Sequence, residues 1–269
     1  MKKFIKVFGV LLLLIGFSAC GGAQDQGNDL LSKIKEKGTI VIGTNSGYPP
    51  YEFYDTTNNQ KKLVGYDVDL GNYIGEKLGV KVEWVDIDFD ALTGSLQTGK
   101  FDIILAGMVD TLERRKSIDF TEAYYQSKTV VISKKGVDIN DAIQLNGKTI
   151  VVQMGTTQAD AAKAVEGAKV LELPSVSDTV AALTSGKADV LMIAEVSAKN
   201  IVAQYPNYSY QAIKGIKDVL LEDGASIGIP QNETALKNEL DNIIKELKAS
   251  NKLDEMFNTN VKLYDSLNK

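Results

Sequence analysis

The segment Leu96–Arg115, LQTGKFDIILAGMVDTLERR, decides the fold because it joins a helix end, a buried strand and a polar turn. Gly99 has the position of a residue that closes a helix, and the apolar run Ile103–Leu105 predicts the strand. Gly107 then breaks the chain into a polar segment that carries Thr111, Glu113, Arg114 and Arg115. A helix followed by a strand predicts an α/β fold, in which polar residues after a strand gather at one edge of the sheet.

A second segment, Leu183–Ala194, repeats this pattern as LTSGKADVLMIA, with its Leu, Gly, Lys and Asp in the same register. Two further segments are similar in sequence, Thr39–Gly43, TIVIG, and Thr149–Gln153, TIVVQ. Repeats so widely spaced do not indicate a solenoid, whose units recur every few tens of residues. We therefore expect two lobes of similar α/β build with mostly parallel sheets, whose strand ends present loops to a shared cleft.

Two crossings between the lobes are expected, near Tyr125–Lys128 and near Leu220–Gly224. Lobe 1 would then contain residues 30–126 and 222–269, and lobe 2 would contain residues 127–221. A chain that crosses twice makes a hinge that can close around a bound molecule. One helix expected in lobe 1 has Asn232 as its cap and buries a single apolar stripe, formed by Leu236, Leu240, Ile243, Ile244 and Leu247.

Residues 1–19 have the pattern of a secretory signal, since three lysines precede an apolar run that ends in small residues. The run Val7–Phe17 is shorter than the roughly 18–20 residues that a membrane-spanning helix needs. The letters FSAC resemble the lipobox of bacterial lipoproteins, in which Cys20 would be lipidated; a plain signal peptide with an incidental cysteine is the alternative. Residues 20–29 would then be a lipidated, flexible tether that holds the protein on the extracytoplasmic face of a membrane through its lipid alone.

Composition excludes several kinds of site. The chain contains no histidine, which removes Ser-His-Asp and Cys-His catalysis and every histidine metal ligand. Cys20 is the only cysteine, so no intramolecular disulfide forms. Asp86, Asp88 and Asp90 are spaced like the start of a calcium loop, but Ala91 stands where that loop needs glycine. With a net charge of −5 and no basic stripe, we expect no nucleic-acid partner, no metal and no cofactor.

Arg114 is the strongest candidate for a binding residue. It follows the break after a buried strand, where a guanidinium can pair with a carboxylate through two hydrogen bonds. In the second lobe, Gly155, Thr156 and Thr157 follow a strand and open a helix, which directs backbone N–H groups and hydroxyls toward an anion. An ordinary surface arginine and an ordinary helix cap are the alternatives. Loops at the same sheet edges carry aromatic side chains that suit either the core or a ligand clamp: Tyr48, Tyr51 and Phe89.

Several longer stretches resemble one protein family: GTNSGYPPYEF at Gly43–Phe53, GYDVDLGNYIGEKL at Gly65–Leu78, the Thr-x-x-Arg segment within Gly99–Tyr125, and QMGTTQ at Gln153–Gln158. Their order, within Leu30–Phe257, is similar to the polar amino acid family of bacterial extracytoplasmic solute-binding proteins. The resemblance implies a two-lobed, periplasmic-binding-protein-like fold of type II that closes over a ligand without breaking a bond. It also implies an ABC permease and ATPase complex as the membrane partner of a monomeric binding protein.

The same resemblance assigns roles to individual residues. Arg114 would pair with a ligand carboxylate, helped by Thr157 and the backbone of Thr156. Tyr48 and Phe89 would enclose the ligand side chain between their rings. The ligand that these roles imply is a small carboxylate-bearing solute, above all a polar amino acid.

The amino end of the ligand is where the sequence departs from the family pattern. The main chain around Gly107 and Met108 would accept hydrogen bonds from the ligand ammonium. Val109 stands where the family has Ser or Thr, and Ala194 stands where it has the carboxylate that holds the ammonium. Glu195 follows one position late, which in a strand is the opposite face unless a bulge turns it inward. Ligands with a displaced, modified or absent amine are therefore alternatives to a plain α-amino acid.

Polar side chains near the expected pocket favour a ligand with a neutral polar side chain: Asn45, Gln153 and Gln158. Two other functions stay open on the sequence, a surface sensor that passes its closed state to a receptor and a cyclohexadienyl-dehydratase-like enzyme. In the enzyme, Glu195 or Asp110 would act as a general base. The absence of histidine and of a paired-carboxylate spacing argues against catalysis. We therefore expect a binding protein and not an enzyme.

Overall fold

The computed structural model of the chain describes residues 29–57, 60–126, 128–216 and 220–267. The expected signal segment, Cys20 and nearly all of the expected tether lie outside these ranges. Within them the strands are β1 (Thr39–Thr44), β2 (Phe53–Asp55), β3 (Lys62–Val64), β4 (Lys81–Asp86), β5 (Ile103–Ile104), β6 (Val109–Thr111), β7 (Asp119–Phe120), β8 (Thr129–Lys134), β9 (Thr149–Gln153), β10 (Lys169–Leu173), β11 (Val190–Ala194), β12 (Tyr208–Ala212), β13 (Leu220–Ala225) and β14 (Gly228–Ile229). The helices are α1 (Leu30–Lys37), α2 (Tyr66–Leu78), α3 (Leu92–Gln97), α4 (Thr157–Lys163), α5 (Val176–Thr184), α6 (Glu195–Gln204), α7 (Thr234–Ala249) and α8 (Lys252–Leu267).

The first sheet has the strand order β4-β1-β5-β14-β7. Strand β1 lies between β4 and β5 and runs parallel to both, while β14 runs antiparallel to β5 and β7. Because β14 comes from far along the chain, this sheet is built from two distant segments. Such a return is what two crossings between lobes predict.

The second sheet has the order β10-β9-β11-β8-β12, with β9 parallel to β10 and β11. Strand β8 runs antiparallel to both of its neighbours, β11 and β12, so β12 has the direction of β11. In each of these two sheets four strands run in one direction and one runs against them, and this shared arrangement confirms the two-lobed α/β fold. Only β14 in the first sheet and β8 in the second run against the other strands, so the expectation of mostly parallel sheets holds for strand direction, although two neighbouring pairs in each sheet are antiparallel.

Helix α7 buries the predicted apolar stripe completely: Leu236, Leu240, Ile243, Ile244 and Leu247. The prediction that Asn232 caps this helix is wrong, because the helix begins after Glu233 and has no side-chain cap. The backbone of Asn232 is left-handed, with φ of 66°, whereas a capping residue is extended. Its N–H donates instead to Asp119. Among the described residues, no helix has both the length and the apolar character that crossing a bilayer requires.

Glu195 lies on a helix, α6, and not on a strand as expected. Strand β11 ends at Ala194, and Glu195 is the first residue of α6 rather than a strand residue. The helix begins without a side-chain cap, so the sequence carries no start signal there. The opposite-face argument therefore does not apply to Glu195.

The segments around the two expected crossings lie side by side. Tyr125 and Ala225 form an isolated bridge, in which the Ala225 N–H donates to the Tyr125 carbonyl at 2.7 Å. Beside it, β13 pairs with β6 in antiparallel orientation, with Ala225 opposite Val109. This pairing brings the connecting backbone next to the polar turn that carries Arg114.

Candidate functional site

A cleft of about 800 Å³, including its opening to solvent, lies between the carboxyl edges of the two sheets. Its walls contain most of the candidate site residues: Asn45, Tyr48, Tyr51, Phe89, Gly107, Val109, Arg114, Gln153, Thr156, Thr157 and Ala194. These residues come from the ends of β1, β4, β5, β9 and β11 and from the loops that follow them. Ligands of open α/β sheets bind at such edges. The structure thus brings together residues that the sequence divides between two lobes.

Arg114 lies on a short 3-10 turn that follows β6. One guanidinium nitrogen donates to the carbonyl of Val109, and the other donates across the cleft to the carbonyl of Gly155 at 2.9 Å. The guanidinium carbon lies 5.4 Å from the centre of the Phe89 ring, which is a cation–π distance. Burial lowers the pKa of Arg114 to about 10, so the side chain stays charged at neutral pH although it is poorly solvated. Its remaining N–H donors are available to an anion.

The loop between β9 and α4 faces Arg114 from the second sheet. The Thr156 hydroxyl donates to the Gln153 carbonyl at 2.7 Å and accepts from the Ala159 N–H at 3.2 Å. The Thr156 side chain therefore acts as an ordinary helix cap. Thr157 is buried in the cleft wall, and its hydroxyl makes only a long contact of 3.4 Å with Gln158. Of the two threonines, Thr157 has the hydroxyl better placed for a ligand.

Aromatic rings line the cleft on the side of the first sheet. The Tyr48 ring stacks on the Tyr51 ring with 5.0 Å between centroids and 7° between planes. Tyr51 is 1% exposed and belongs mainly to the core, whereas Tyr48 covers it toward the cleft. Gly107 allows this packing, because its φ is 56° and a Cβ there would lie 2.8 Å from the Tyr48 ring.

Glu52 lines the cleft although the sequence reasoning did not single it out. Its side chain is buried, and neither carboxylate oxygen accepts an N–H or O–H from the described residues. The neighbouring Asp67 accepts from the Gly107 N–H at 2.7 Å and from the Tyr124 hydroxyl at 2.9 Å, both through Oδ2. The two buried carboxyls are neighbours, and two like charges so placed disfavour the ionisation of both groups at once. Burial raises the pKa of Glu52 well above its usual range and the pKa of Asp67 to about 6.

A side-chain hydrogen bond joins the two sheets across the cleft. Gln153 Nε2 donates to Asn45 Oδ1 at 2.8 Å, and both side chains are buried. Each amide also bonds to a nearby carbonyl, Asn45 to Ile87 and Gln153 to Pro174. Together with the bond between Arg114 and Gly155, this contact holds the two sheet edges together.

We expect Asn45 and Gln153 to be energetically coupled. In a double-mutant cycle with Asn45→Ala and Gln153→Ala, the free energies of unfolding in urea should show a coupling of about 1 kcal/mol, typical of one hydrogen bond. Gln158 offers a matched control because its amide donates to Thr129 within the same half of the molecule. The cycle of Asn45 with Gln158 should show a coupling below about 0.3 kcal/mol. Equal couplings in the two cycles would contradict the cross-cleft bond.

Three residues that the sequence suggested for ligand binding or catalysis do not line the cleft. Met108 is buried in the core of the first sheet. Glu195 pairs with Lys199 at 3.2 Å on α6, and Asp110 accepts two hydrogen bonds from Arg115 Nε at 2.8 and 2.9 Å. Since both acids are held by cations away from the cleft, neither is placed to act as the general base of a dehydratase.

The cleft also contains residues that no sequence pattern indicated. Lys128 adds a second cation to the lining, from the segment in which we expected a crossing. Hydrophobic periodicity locates such a segment but does not report which way its side chains point. The others are Ala106, Thr129, Val176, Thr179, Leu191, Met192, Ile193 and Ala225. In the described part of the chain, no group of three or more His, Cys, Asp or Glu residues is arranged to hold a metal ion.

Known proteins share this architecture. Residues 40–262 match the family model of bacterial extracellular solute-binding proteins, family 3. A probable histidine-binding protein of Campylobacter jejuni is 35% identical over 210 residues, which cover 77% of this chain and 79% of the relative. An arginine-binding extracellular protein of Bacillus subtilis is 28% identical, with 95% of this chain and 96% of the relative covered.

A solved structure extends the comparison. An amino acid ABC transporter substrate-binding protein of Streptococcus pneumoniae, bound to L-arginine, aligns with a TM-score of 0.81 and 29% identity, covering 86% of this chain and 98% of that protein. The present chain therefore belongs to the bacterial extracellular solute-binding proteins, family 3. Its relatives bind amino acids and are not enzymes, so the expected family and the expected absence of catalysis are confirmed. The family is extracellular or periplasmic, in agreement with the expected extracytoplasmic location.

Proposed function

We propose that this protein captures a small carboxylate-bearing solute, above all an amino acid, for an ABC importer by closing two lobes over the cleft. The observation that carries the proposal is Arg114, a charged and poorly solvated guanidinium that faces the cleft with donors to spare. Lobe 1 would comprise residues 30–126 and 222–269, and lobe 2 residues 127–221. Relatives that bind histidine or arginine support the choice of an amino acid.

The carboxylate would be held between the two sheets. Arg114 would donate from one side, and the Thr157 hydroxyl with the backbone of Thr156 would donate from the other. Charge-assisted hydrogen bonds of this kind are stronger when closure expels water. Tyr48 and Phe89 would flank the side chain of the solute.

Closure would be a hinge motion about the paired segments at Tyr125 and Ala225. The cross-cleft bonds, from Arg114 to Gly155 and from Gln153 to Asn45, form only when the sheet edges approach each other. These bonds therefore favour the closed arrangement. The solute favours it as well, because it would bind the closed arrangement more tightly than the open one and so shift the equilibrium between the two.

We extend the proposal to the N-terminus and the partner. Lipidation at Cys20 would make residues 20–29 a tether that holds the monomeric protein beside its ABC permease and ATPase complex. The letters FSAC and the family of extracellular binding proteins support this arrangement. No catalytic residue or cofactor is needed, because capture and release involve binding alone.

Calorimetric titration of the mature protein with all common amino acids and with acids that lack the amine tests the proposed function. We expect saturable binding of at least one of these solutes, with equimolar stoichiometry. A folded protein that remains silent toward every acid in this set would contradict the proposal.

A further inference from the structure

The described cleft has an unusual placement of acidic side chains. Ala194, at the end of β11, offers no charge to an amino group, and Glu195 is turned away on α6. Among the described residues that line the cleft, Glu52 is the only one with a carboxylate. Glu52 lies on the loop that carries the stacked tyrosines.

The pair formed by Glu52 and Asp67 holds a negative charge that no protein cation offsets. Because two buried carboxyls side by side do not readily ionise together, the pair carries one charge once the pH exceeds the Asp67 pKa of about 6. Gly107 and Tyr124 supply two neutral donors, but within the described chain neither carboxyl has a lysine or arginine partner. A buried charge without a counter-ion is costly, and an arriving cation reduces that cost.

We propose that Glu52, supported by Asp67, is the subsite that holds the cationic amino group of the bound solute. This inference rests on the proposed function. The ammonium N–H groups would donate to the two Glu52 oxygens that have no donor. The carboxylate of the solute would then bind Arg114 while its amine binds Glu52. The cleft would therefore complement an amino acid even though position 194 is alanine and not an acidic residue.

Occupation of this subsite changes the protonation of the acid pair. An ammonium beside Glu52 favours its ionised form, so the proton that the acid pair retains passes to the buffer as the solute binds. The titratable groups that surround Glu52 are Asp67 of α2, Asp86 of β4, Tyr124 and, on its own loop, Tyr48. None of them is a cation, so the cation that drives the release is the solute itself.

The test compares amino acids with acids that differ only by a hydrogen in place of the α-ammonium. The probes are L-arginine, L-histidine and L-glutamine, each with its desamino acid. By calorimetry at neutral pH, the wild-type protein should prefer at least one amino acid over its desamino partner by about 30-fold or more. Parallel titrations in buffers of different ionisation heat should show proton release. In Glu52→Gln both the preference and the release should disappear, while the affinity for the desamino acid stays within a factor of about three.

Glu195→Gln is the matched control, because Glu195 follows Ala194 directly but is paired with Lys199. It should leave the preference unchanged. Loss of the preference in Glu195→Gln rather than in Glu52→Gln would overturn the subsite, as would equal binding of amino and desamino acids by the wild type. Either of those results is compatible with the proposed binding of a carboxylate. If none of the probes binds, both the proposed function and the Glu52 subsite are contradicted. Thermal melting of Glu52→Gln, expected at or above the wild-type temperature, verifies its fold.

Discussion

Replacement of Arg114 with alanine is expected to weaken solute binding by about 100-fold or more, to the limit of calorimetric detection. The carboxylate of the solute would then enter the closed cleft without its cationic partner, and a buried charge without a partner is strongly unfavourable. The variant also loses the hydrogen bond that Arg114 makes across the cleft to Gly155. Titration with the tightest-binding solute from the amino acid screen measures the effect.

Two further variants separate charge from geometry at this site. Arg114→Lys keeps a cation but loses the planar fork, so we expect a loss of about tenfold or more. Lys116→Ala removes an exposed cation that pairs only with Glu113 in the described structure and should leave the affinity unchanged. Unliganded Arg114→Ala should melt within a few degrees of the wild type, because water can take the place of the guanidinium at the two carbonyls that it releases, those of Val109 and Gly155. Wild-type affinity in a folded Arg114→Ala protein would contradict the account.

Substitution of Gly224 by alanine should produce a large loss of stability. A Cβ at this position would lie 2.1 Å from the carbonyl oxygen of Tyr125, which accepts the hydrogen bond of Ala225 between the paired segments. Because the clash is with backbone, the pairing itself must shift. We expect the free energy of unfolding to fall by about 3 kcal/mol and the melting temperature by roughly 6–12 °C.

Gly94→Ala is the matched control for this substitution. Gly94 lies inside α3, and a Cβ there would meet nothing within 4 Å. Alanine lowers the conformational entropy of the unfolded chain, so this variant should be more stable than the wild type by about 0.5 kcal/mol. Equal melting temperatures for Gly224→Ala and the wild type would show that the paired segments have more freedom than the structure indicates.

Hydrophobic spacing was sufficient to locate the elements that carry the cleft. The repeated segments Thr39–Gly43 and Thr149–Gln153 form strands β1 and β9, and the predicted strand Ile103–Leu105 contains β5. Loops that follow such strands reach the same sheet edge, which is why most candidate site residues line one cleft.

The acid pair depends on contacts that no local pattern reports. Glu52 stands within an aromatic run, and Asp67 belongs to the first turn of a helix, where an acid is ordinary. They meet because the chain at Gly65 passes so close to Tyr51 that a Cβ there would lie 2.1 Å from the Tyr51 carbonyl. The position of Glu195 on a helix could not be predicted either, because α6 begins without a capping side chain that would mark its start in the sequence.

The central claim is that the cleft binds the carboxylate of its solute, and the most direct test compares the tightest-binding amino acid with its primary amide. The amide keeps the side chain and the amine and replaces the charged carboxylate with a neutral group of similar size. We predict that the wild-type protein binds the amide about 100-fold more weakly, and that Arg114→Ala no longer distinguishes the two. Equal affinity of the wild-type protein for acid and amide would contradict the account.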